Sequence, residues 1–244
     1  MTLSGFFNRL GMIPSILEIV VTSLNIGVYC RHRNFRKYRG KFHELLKRRS
    51  PEKGSSVTEE EAYTLYSSVK AVSDIPGAIA EFGVYKGATA HLISQIKKNK
   101  PLYLFDTFEG MPNEKISTQD RWRRDTHKDT ALSTVQNYLR DFDNVYFVPG
   151  TFPESLAGDS SILDLRFSFV NLDVDLYEST LEALNFFYPR LNVGGRLVSH
   201  NYNLKFTDGG DTPGVKEAFD NYFSDQRHIV VEIAETQCLV IKSR

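Results

Sequence analysis

Short apolar runs recur along the chain from residue 78 onward and alternate with segments of helical periodicity. The apolar runs predict strands at Ala78–Phe82, Leu102–Phe105, Val145–Val148, Phe167–Leu172, Arg196–Ser199, Ile229–Ile233 and Cys238–Lys242. Helices are predicted between them, at Ala88–Ile96, Ser179–Phe187 and Pro213–Phe223. Strands that alternate with helices are typical of a parallel sheet covered on both faces. The pattern therefore predicts an α/β fold with a doubly wound, Rossmann-like sheet.

A further helix is predicted to open this domain, directly after the polar linker at residues 50–56. Thr58 is a suitable N-cap, and Glu61 stands three residues later, as in a capping box. Ala62, Leu65 and Val69 then follow at helical spacing. We therefore divide the chain into an N-terminal extension, residues 1–57, and one domain, residues 58–244.

The N-terminal extension joins an apolar stretch to a basic one. Residues 10–30 are mostly apolar, and residues 31–49 are rich in Lys and Arg. Pro14, Glu18 and Asn25 argue against a spanning helix, and a signal peptide would carry its basic residues first. Two interpretations remain. The extension is either a helical segment that packs on the domain or on a second subunit of a homo-oligomer, or a peripheral membrane attachment.

Composition narrows the class of protein. A chain of 244 residues suits one α/β domain with a sizeable core. Its 30 basic and 30 acidic side chains give a formal net charge of zero, so no global field favours nucleic acid. Cys30 and Cys238 are too few and too far apart for a disulfide framework, which indicates a cytoplasmic protein, with membrane association as the alternative location.

A glycine turn follows the first predicted strand. Glu81, Gly83 and Gly87 form a Glu-x-Gly-x-x-x-Gly pattern before a predicted helix. Glycines let the backbone approach a ligand, and the helix start offers free N–H groups. The dinucleotide fingerprint has closer glycines and holds a pyrophosphate, which the Glu81 carboxylate would repel. The turn therefore favours a cationic cofactor such as S-adenosylmethionine over NAD; the alternative is a turn without a ligand.

Further polar residues end the later strands. Asp106 follows the second strand, where an acid can accept the hydroxyls of a ribose or cap a helix. Asp173 and Asp175 follow the fourth strand, and His200 and Asn201 follow the fifth. Because the carboxyl ends of parallel strands share one edge of the sheet, we expect these side chains to meet in one crevice. An N-cap role is the alternative for Asp175.

Four blocks of the sequence resemble the macrocin-type O-methyltransferases, which methylate sugar hydroxyls in macrolide and aminocoumarin biosynthesis. The blocks are residues 81–89, 106–112, 171–180 and 188–195, and the Asp-x-Asp-Leu-Tyr-Glu-Ser-Thr run that begins at Asp173 is the most specific. The turn at Glu81 also resembles that of catechol O-methyltransferase. The similarity covers roughly residues 58–244. It implies a seven-stranded class I methyltransferase sheet, S-adenosylmethionine as cofactor and a small-molecule sugar hydroxyl as acceptor.

The resemblance also implies roles for individual residues. Those expected around the cofactor are Glu81, Gly83, Tyr85, Thr89, Asp106, Thr151, Phe152 and Asp173. Within this set, Asp106 would bind the ribose, and Thr151 and Phe152 would lie beside adenine, with a place in the core as the alternative for Phe152. Asp175 would be the general base that takes the proton of the sugar hydroxyl. Asp173 would also be a ligand of a divalent metal.

The implied metal site, Asp173 with His200 and Asn201, departs from the family at one point. The family has two adjacent aspartates where this chain has His200 and Asn201, and catechol O-methyltransferase has Asp-Asn. Magnesium prefers hard oxygen ligands, so we expect weak or absent magnesium binding. Three interpretations of His200 stay open: a ligand of a softer metal, a catalytic base without metal, or a structural side chain. A binding or scaffold protein that keeps only the cofactor pocket is the alternative function.

One charged segment is predicted to lie outside the core. Residues 113–128 are poor in aliphatic side chains and contain the single tryptophan, Trp122. This composition is typical of a mobile surface loop. His127 lies in the same segment, forms no spaced ligand set with another histidine, and receives no functional role from the sequence.

Overall fold

The computed structural model describes residues 40–47, 57–203, 213–225, 229–233 and 236–243. The chain divides into two compact units, Met1–Arg48 and Arg49–Arg244. In the first unit the description covers one helix, α1 (Gly40–Lys47). The apolar stretch at residues 10–30 lies outside the described residues. Within the described ranges, no helix has both the length and the apolar composition that a membrane crossing needs.

The second unit contains a seven-stranded sheet and five described α-helices. The strands are β1 (Ala78–Phe82), β2 (Leu102–Asp106), β3 (Val145–Pro149), β4 (Phe167–Leu172), β5 (Leu191–Ser199), β6 (Val230–Ile233) and β7 (Gln237–Ile241). The helices are α2 (Glu59–Ala71), α3 (Ala88–Ser94), α4 (Leu132–Leu139), α5 (Tyr177–Arg190) and α6 (Gly214–Tyr222). Short 3₁₀ turns occur at Asn113–Lys115, Glu154–Gly158 and Ser160–Asp164.

The strand order is β3-β2-β1-β4-β5-β7-β6. The first five strands in this order are parallel, and β7 runs antiparallel to both β5 and β6. The chain winds outward in one direction from β1 and in the other from β4, so a topological switch point lies between these two strands. Ligands of open α/β sheets bind outside the carboxyl ends of the strands at such a point. The predicted doubly wound sheet is confirmed.

Most of the predicted elements agree with the structure to within two residues at each end, and β5 and α5 extend further than predicted. β5 begins at Leu191 rather than Arg196, because Gly194 N–H donates to Lys242 O at 2.7 Å and extends the sheet past the Gly-Gly pair. Helix α5 runs through Pro189 in its last turn.

Two apolar cores, one on each face of the sheet, hold the helices in place. On one face, α5 and α6 pack on a core rich in phenylalanine, whose buried rings are Phe82, Phe105, Phe152, Phe167, Phe186, Phe187, Phe219 and Phe223. On the other face, α2, α3 and α4 cover a core of mainly aliphatic residues. Burying a side chain of this size contributes roughly 1.5–3 kcal/mol. Both faces of the sheet are therefore covered by packed helices.

The start of α2 is tied to the far side of the sheet. Thr58 and Glu61 form the predicted capping box, with Glu61 N–H donating to Thr58 Oγ1 at 3.3 Å and Thr58 N–H donating to Glu61 Oε2 at 3.0 Å. Glu61 Oε1 also accepts from Thr236 Oγ1 at 2.7 Å, just before β7. The acid that caps the helix therefore also anchors it to the antiparallel edge.

β1 and β4 come very close where they end. Gly83 N–H donates to Phe105 O at 2.9 Å, and Asp173 N–H donates to Phe82 O at 2.8 Å. A Cβ placed on Gly83 would lie 1.9 Å from Asp173 O, and Gly83 has a φ of +88°. Only glycine satisfies both the space and the left-handed backbone at this position.

We expect Gly83→Ala to lower the free energy of unfolding by about 3 kcal/mol or more, because the methyl group clashes with backbone and the positive φ is strained. Gly158→Ala is the matched control, since a Cβ there meets nothing within 4 Å. Urea unfolding of both variants measures the effect. Equal stability of the two variants would contradict the close approach of β1 and β4.

Candidate functional site

A cavity of about 450 Å³ opens at the carboxyl ends of the five parallel strands. Each of these strands contributes a residue at or just after its end, and these residues are Gly83, Asp106, Gly150, Asp173 and His200. Lateral hydrogen bonds hold this edge together, such as Gly150 N–H to Asp106 O at 3.0 Å and His200 N–H to Leu172 O at 2.8 Å. The volume is that of a site for a small organic ligand.

All of the site residues predicted from the sequence line this cavity, except Glu81. The lining members of the predicted set are Gly83, Tyr85, Thr89, Asp106, Thr151, Phe152, Asp173, Asp175, His200 and Asn201. The structure therefore brings together side chains that are spread over more than a hundred positions of the sequence. Their individual environments differ considerably.

Glu81 lies behind the cavity wall. It is 0% exposed, and its Oε1 accepts hydrogen bonds from Thr89 Oγ1 and from Asn171 Nδ2, the latter at 3.1 Å. Its other oxygen, Oε2, has no hydrogen-bond partner among the described residues. Burial raises the pKa of Glu81 to about 8, against the lowering effect of its hydrogen bonds. Glu81 reaches the cavity through Thr89, at the start of α3.

Asp106 holds the glycine turn in shape. Its Oδ2 accepts from the backbone N–H groups of Val84 at 2.6 Å and Tyr85 at 2.9 Å, and its Oδ1 accepts from Phe108 N–H at 2.7 Å. A ribose bound by Asp106 would therefore share oxygens that already accept from the turn. The carboxylate at the end of β2 fixes the position of the turn that follows β1.

Phe152 and Thr151 follow β3 and have different surroundings. The Phe152 ring is almost wholly buried, with ring centroids 5.1 Å from Phe82 and 5.4 Å from Phe186. Thr151 Oγ1 lies 3.5 Å from Glu114 Oε1. Phe152 is thus a core side chain whose edge also reaches the cavity.

The charged segment predicted as a mobile loop packs against the domain and closes one side of the cavity. Lys115 is only 8% exposed and pairs with both oxygens of Glu182 in α5. Asp120 Oδ1 accepts from Tyr177 N–H at 2.9 Å, at the start of the same helix. The prediction missed these contacts because the partners of the charged residues lie far away in the sequence.

The two residues that follow this segment form hydrogen bonds and an ion pair with the glycine turn. Asp129 accepts from Tyr85 Oη and pairs with Lys86 Nζ, and Thr130 Oγ1 donates to Tyr85 O at 2.6 Å. Both lysines that line the cavity, Lys86 and Lys115, are thus paired with carboxylates.

Asp173, Asp175 and Asn201 meet at the centre of the site. Asn201 Nδ2 donates to Asp175 Oδ1 and lies 3.4 Å from Asp173 Oδ1. Burial raises the pKa of Asp173 well above its usual value, and the nearby carboxylates, with Asp175 the strongest, raise it further. A positive charge nearby would lower this pKa and favour the ionised carboxylate, so the inner wall of the cavity suits a ligand that carries positive charge.

His127 also belongs to this group, although no role was predicted for it. Its Nε2 lies 3.7 Å from Asp175 Oδ2, and its ring centroid lies 4.8 Å from Tyr85 and 5.7 Å from Trp122. The Asp175 carboxylate raises the pKa of His127, while partial burial acts in the opposite direction. The available signal was compositional: Trp122 and His127 are aromatic rings in an otherwise charged segment.

His200 has different partners from those that the predicted metal site requires. The imidazole is buried, and its Nε2 lies 3.1 Å and its Nδ1 3.5 Å from Gln237 Nε2. Burial lowers the pKa of His200 to about 4, so the ring is neutral near pH 7. Across the described parts of the chain, no three His, Cys, Asp or Glu side chains are arranged to hold a metal ion.

The donor set itself does not fit a divalent cation as it stands. Asn201 turns its N–H group, rather than its carbonyl oxygen, toward Asp173 and Asp175. A hard cation needs oxygen lone pairs at that point. Asp173, His200 and Asn201 therefore do not present converging ligand atoms in this arrangement.

Strained backbone is concentrated around the cavity. Eight non-glycine residues in the described ranges have positive φ, and four of them line the cavity. They are Tyr85 at +50°, His127 at +61°, Asp175 at +64° and Asn201 at +58°. Such a conformation costs roughly 1–3 kcal/mol per residue and is typical of functional sites. The strained residues are thus Asp175 itself and three residues that line the cavity with it.

The family model and the similar proteins found by comparison are all O-methyltransferases. The model of the macrocin O-methyltransferase family matches residues 59–238. Demethyldecarbamoylnovobiocin O-methyltransferase of Streptomyces niveus is 28% identical over 165 residues, 62% of this chain and 59% of that protein. Mycinamicin III 3''-O-methyltransferase of Micromonospora griseorubida is 27% identical over 180 residues, 66% of this chain and 65% of that protein. The matched region thus spans less than two thirds of these relatives.

Two solved structures agree with this fold. The O-methyltransferase NovP superimposes with a TM-score of 0.62 and 24% identity, over 75% of this chain and 79% of that one. Calicheamicin methyltransferase CalS11 superimposes with a TM-score of 0.59 and 20% identity, over 74% of this chain and 77% of that one. At these identities, the two structures support the fold of the sheet and its helices.

The burial of Glu81 predicts a specific dependence of stability on pH. Its folded pKa of about 8 lies above the reference value of 4.5, so the unfolded chain ionises first as pH rises. The contribution of Glu81 is therefore complete below about pH 4.5 and is lost as pH rises toward about 8. Glu81→Gln removes the ionisation. Between about pH 5.5 and pH 8, the variant should gain on the order of 3 kcal/mol relative to the natural chain.

Urea unfolding at the two pH values measures this difference. The exposed Glu154, replaced by Gln, is the matched control and should show no comparable change. A Glu81→Gln variant that tracks the natural chain at both pH values would show that Glu81 is ionised in the folded protein.

Proposed function

The chain belongs to the macrocin O-methyltransferase family, and from this premise we propose that it transfers a methyl group from S-adenosylmethionine to a hydroxyl oxygen of a sugar or sugar-bearing small molecule. One observation carries the proposal. The turn after β1 and the carboxylates after β2 and β4 line one cavity at the switch point of the sheet. The relatives named above are sugar and natural-product O-methyltransferases, which supports the same class of acceptor.

The acidic wall of the cavity supports this choice of cofactor. S-adenosylmethionine supplies a methyl group activated by a positively charged sulfur, and it also carries an ammonium group. Asp173 and Asp175 line the wall, and a bound positive charge would favour their ionised forms. The lysines that line the cavity are already paired, so they do not offset this charge. A pyrophosphate, as in NAD, would meet the same carboxylates with repulsion.

We assign the remaining contacts as the sequence predicts. The turn at Gly83, Tyr85 and Thr89 would hold the methionine end, and Asp106 would hold the ribose. Thr151 and the edge of Phe152 would border adenine. Two backbone N–H groups of the turn donate hydrogen bonds to Asp106, so the turn is ordered before a ligand binds. Less conformational entropy is therefore lost when the ligand binds.

Asp175 is the proposed base. An alkyl hydroxyl is a weak acid, so its proton must be accepted while the new bond to carbon forms. In the transfer, the bond between methyl carbon and sulfur breaks, the bond between methyl carbon and acceptor oxygen forms, and the hydroxyl proton goes to Asp175. Asp175 follows β4 with a positive φ and lines the cavity, which supports this role.

Ligand binding tests the cofactor class. In calorimetry on the full chain, S-adenosylhomocysteine should bind at least about 100-fold more tightly than NAD, because the acidic wall disfavours a pyrophosphate. Tight binding of NAD with no heat from S-adenosylhomocysteine would replace the methyltransferase assignment by a nucleotide-dependent oxidoreductase.

Turnover tests the base. Transfer of labelled methyl from S-adenosylmethionine is measured with demethyldecarbamoylnovobiocin, mycinamicin III and other glycosylated acceptors. Asp175→Asn should lower kcat by about 10²- to 10⁴-fold and leave the Kd for S-adenosylhomocysteine unchanged. Asp164→Asn, at an exposed aspartate, is the matched control. A natural chain that binds S-adenosylhomocysteine but methylates none of these acceptors would favour a non-catalytic protein that retains the pocket.

A further inference from the structure

Both oxygens of the Asp175 carboxylate face nitrogen atoms of the chain itself. Asn201 Nδ2 donates to Oδ1, and His127 Nε2 lies 3.7 Å from Oδ2. The same amide nitrogen of Asn201 also lies 3.4 Å from Asp173 Oδ1. One N–H group thus faces a carboxylate oxygen of each aspartate.

Within the described residues, no Lys or Arg side chain takes this role. Among the ion pairs of the described residues, Asp175 pairs with His127, and no Lys or Arg pairs with Asp173 or Asp175. The two lysines of the cavity wall are held by Asp129 and Glu182. Two carboxylates this close repel each other unless positive charge or N–H donors face them.

The position of His127 is fixed from three sides. Its ring lies edge-on to Tyr85, borders Trp122 and presents Nε2 to Asp175, on a backbone with a φ of +61°. The carboxylates whose charges act on it are Asp175, Asp129 and Asp106. Contacts from several elements thus converge on one imidazole, which is unusual for a side chain in a surface segment.

We propose that Asn201 and His127 take the place of a divalent cation at the Asp173–Asp175 pair, so that this chain methylates its acceptor without a metal. The inference rests on the proposed function. Asn201 binds the two aspartates together through its amide, and His127 is a positioning residue that holds the second oxygen of Asp175. The raised pKa of His127 fits this arrangement, because the imidazole gains from proximity to the carboxylate.

Metal binding is the first test, and it needs no acceptor. The full chain, dialysed against a chelator, is titrated in a calorimeter with MgCl₂ and with MnCl₂, with and without S-adenosylhomocysteine. We expect no saturable binding in the natural chain. Asn201→Asp adds a third carboxylate and should create a magnesium site. Saturable binding of either metal to the natural chain that is lost in Asp173→Asn would overturn the inference.

Turnover of the chelated enzyme is the second test. Added magnesium or manganese should change the rate less than about twofold, whereas a rise of tenfold or more would overturn the proposal. His127→Leu should lower kcat by about 10- to 100-fold, as expected when the polar partner of a charged group is lost, with an unchanged Kd for S-adenosylhomocysteine. His127→Gln keeps an N–H donor and should recover at least about tenfold of this loss.

The variants separate positioning from a general loss of structure. Unchanged kcat in His127→Leu, or an equal loss in the Leu and Gln variants, would overturn the role of His127 as a polar partner of Asp175. If no acceptor is methylated by the natural chain, the proposed function fails, and the calorimetric titrations still decide whether the aspartate pair binds metal.

Discussion

The close approach of the backbone at Gly83 and Asp173 determines where the cavity can form. The chain continues from β1 toward one edge of the sheet and from β4 toward the other. It does so immediately after a contact between Gly83 and Asp173 that leaves no room for a Cβ. The turn after β1 therefore starts in a fixed direction, and Asp106 holds it there through backbone N–H groups. The parts of the wall that depend on this turn, such as Tyr85 and Thr89, take their positions from it.

The buried acids around this contact lower the free energy of unfolding when they are charged, and the rest of the structure offsets this loss. Glu81 is buried with one oxygen unpartnered, and the pKa values of both Glu81 and Asp173 are raised by burial. Such groups are unfavourable in the folded protein when charged. The phenylalanine core under α5 and α6 and the aliphatic core under α2 supply burial that is independent of pH. The fold can therefore keep these buried carboxyl groups, which a bound positive charge would help to ionise.

The sequence predicts well what depends on local patterns. β1 and β4 have their predicted bounds because each is a run of buried residues, and the capping box of Thr58 and Glu61 forms as its spacing indicates. The residues after the strands converge because topology alone brings them to one edge. What could not be predicted depends on long-range contacts. The pairing of His127 with Asp175 joins residues 48 positions apart, through a segment whose composition is that of a surface loop.

His200 shows why a residue type at a motif position does not decide its role. The sequence places it beside Asn201 at the end of β5, where the family has aspartates, and this suggests a ligand or a base. In the structure, Gln237 Nε2 lies 3.1 Å from His200 Nε2. The same amide nitrogen donates to Glu61 O, in the first turn of α2. Its neighbour Asn201, one position further, turns into the cavity on a left-handed backbone. Compared with the two aspartates that the resemblance implies, His200 places a neutral ring in the wall, and Asn201 presents an N–H donor. In the metal-free arrangement that we propose, the chain itself supplies the N–H donor and the imidazole that face the remaining carboxylates.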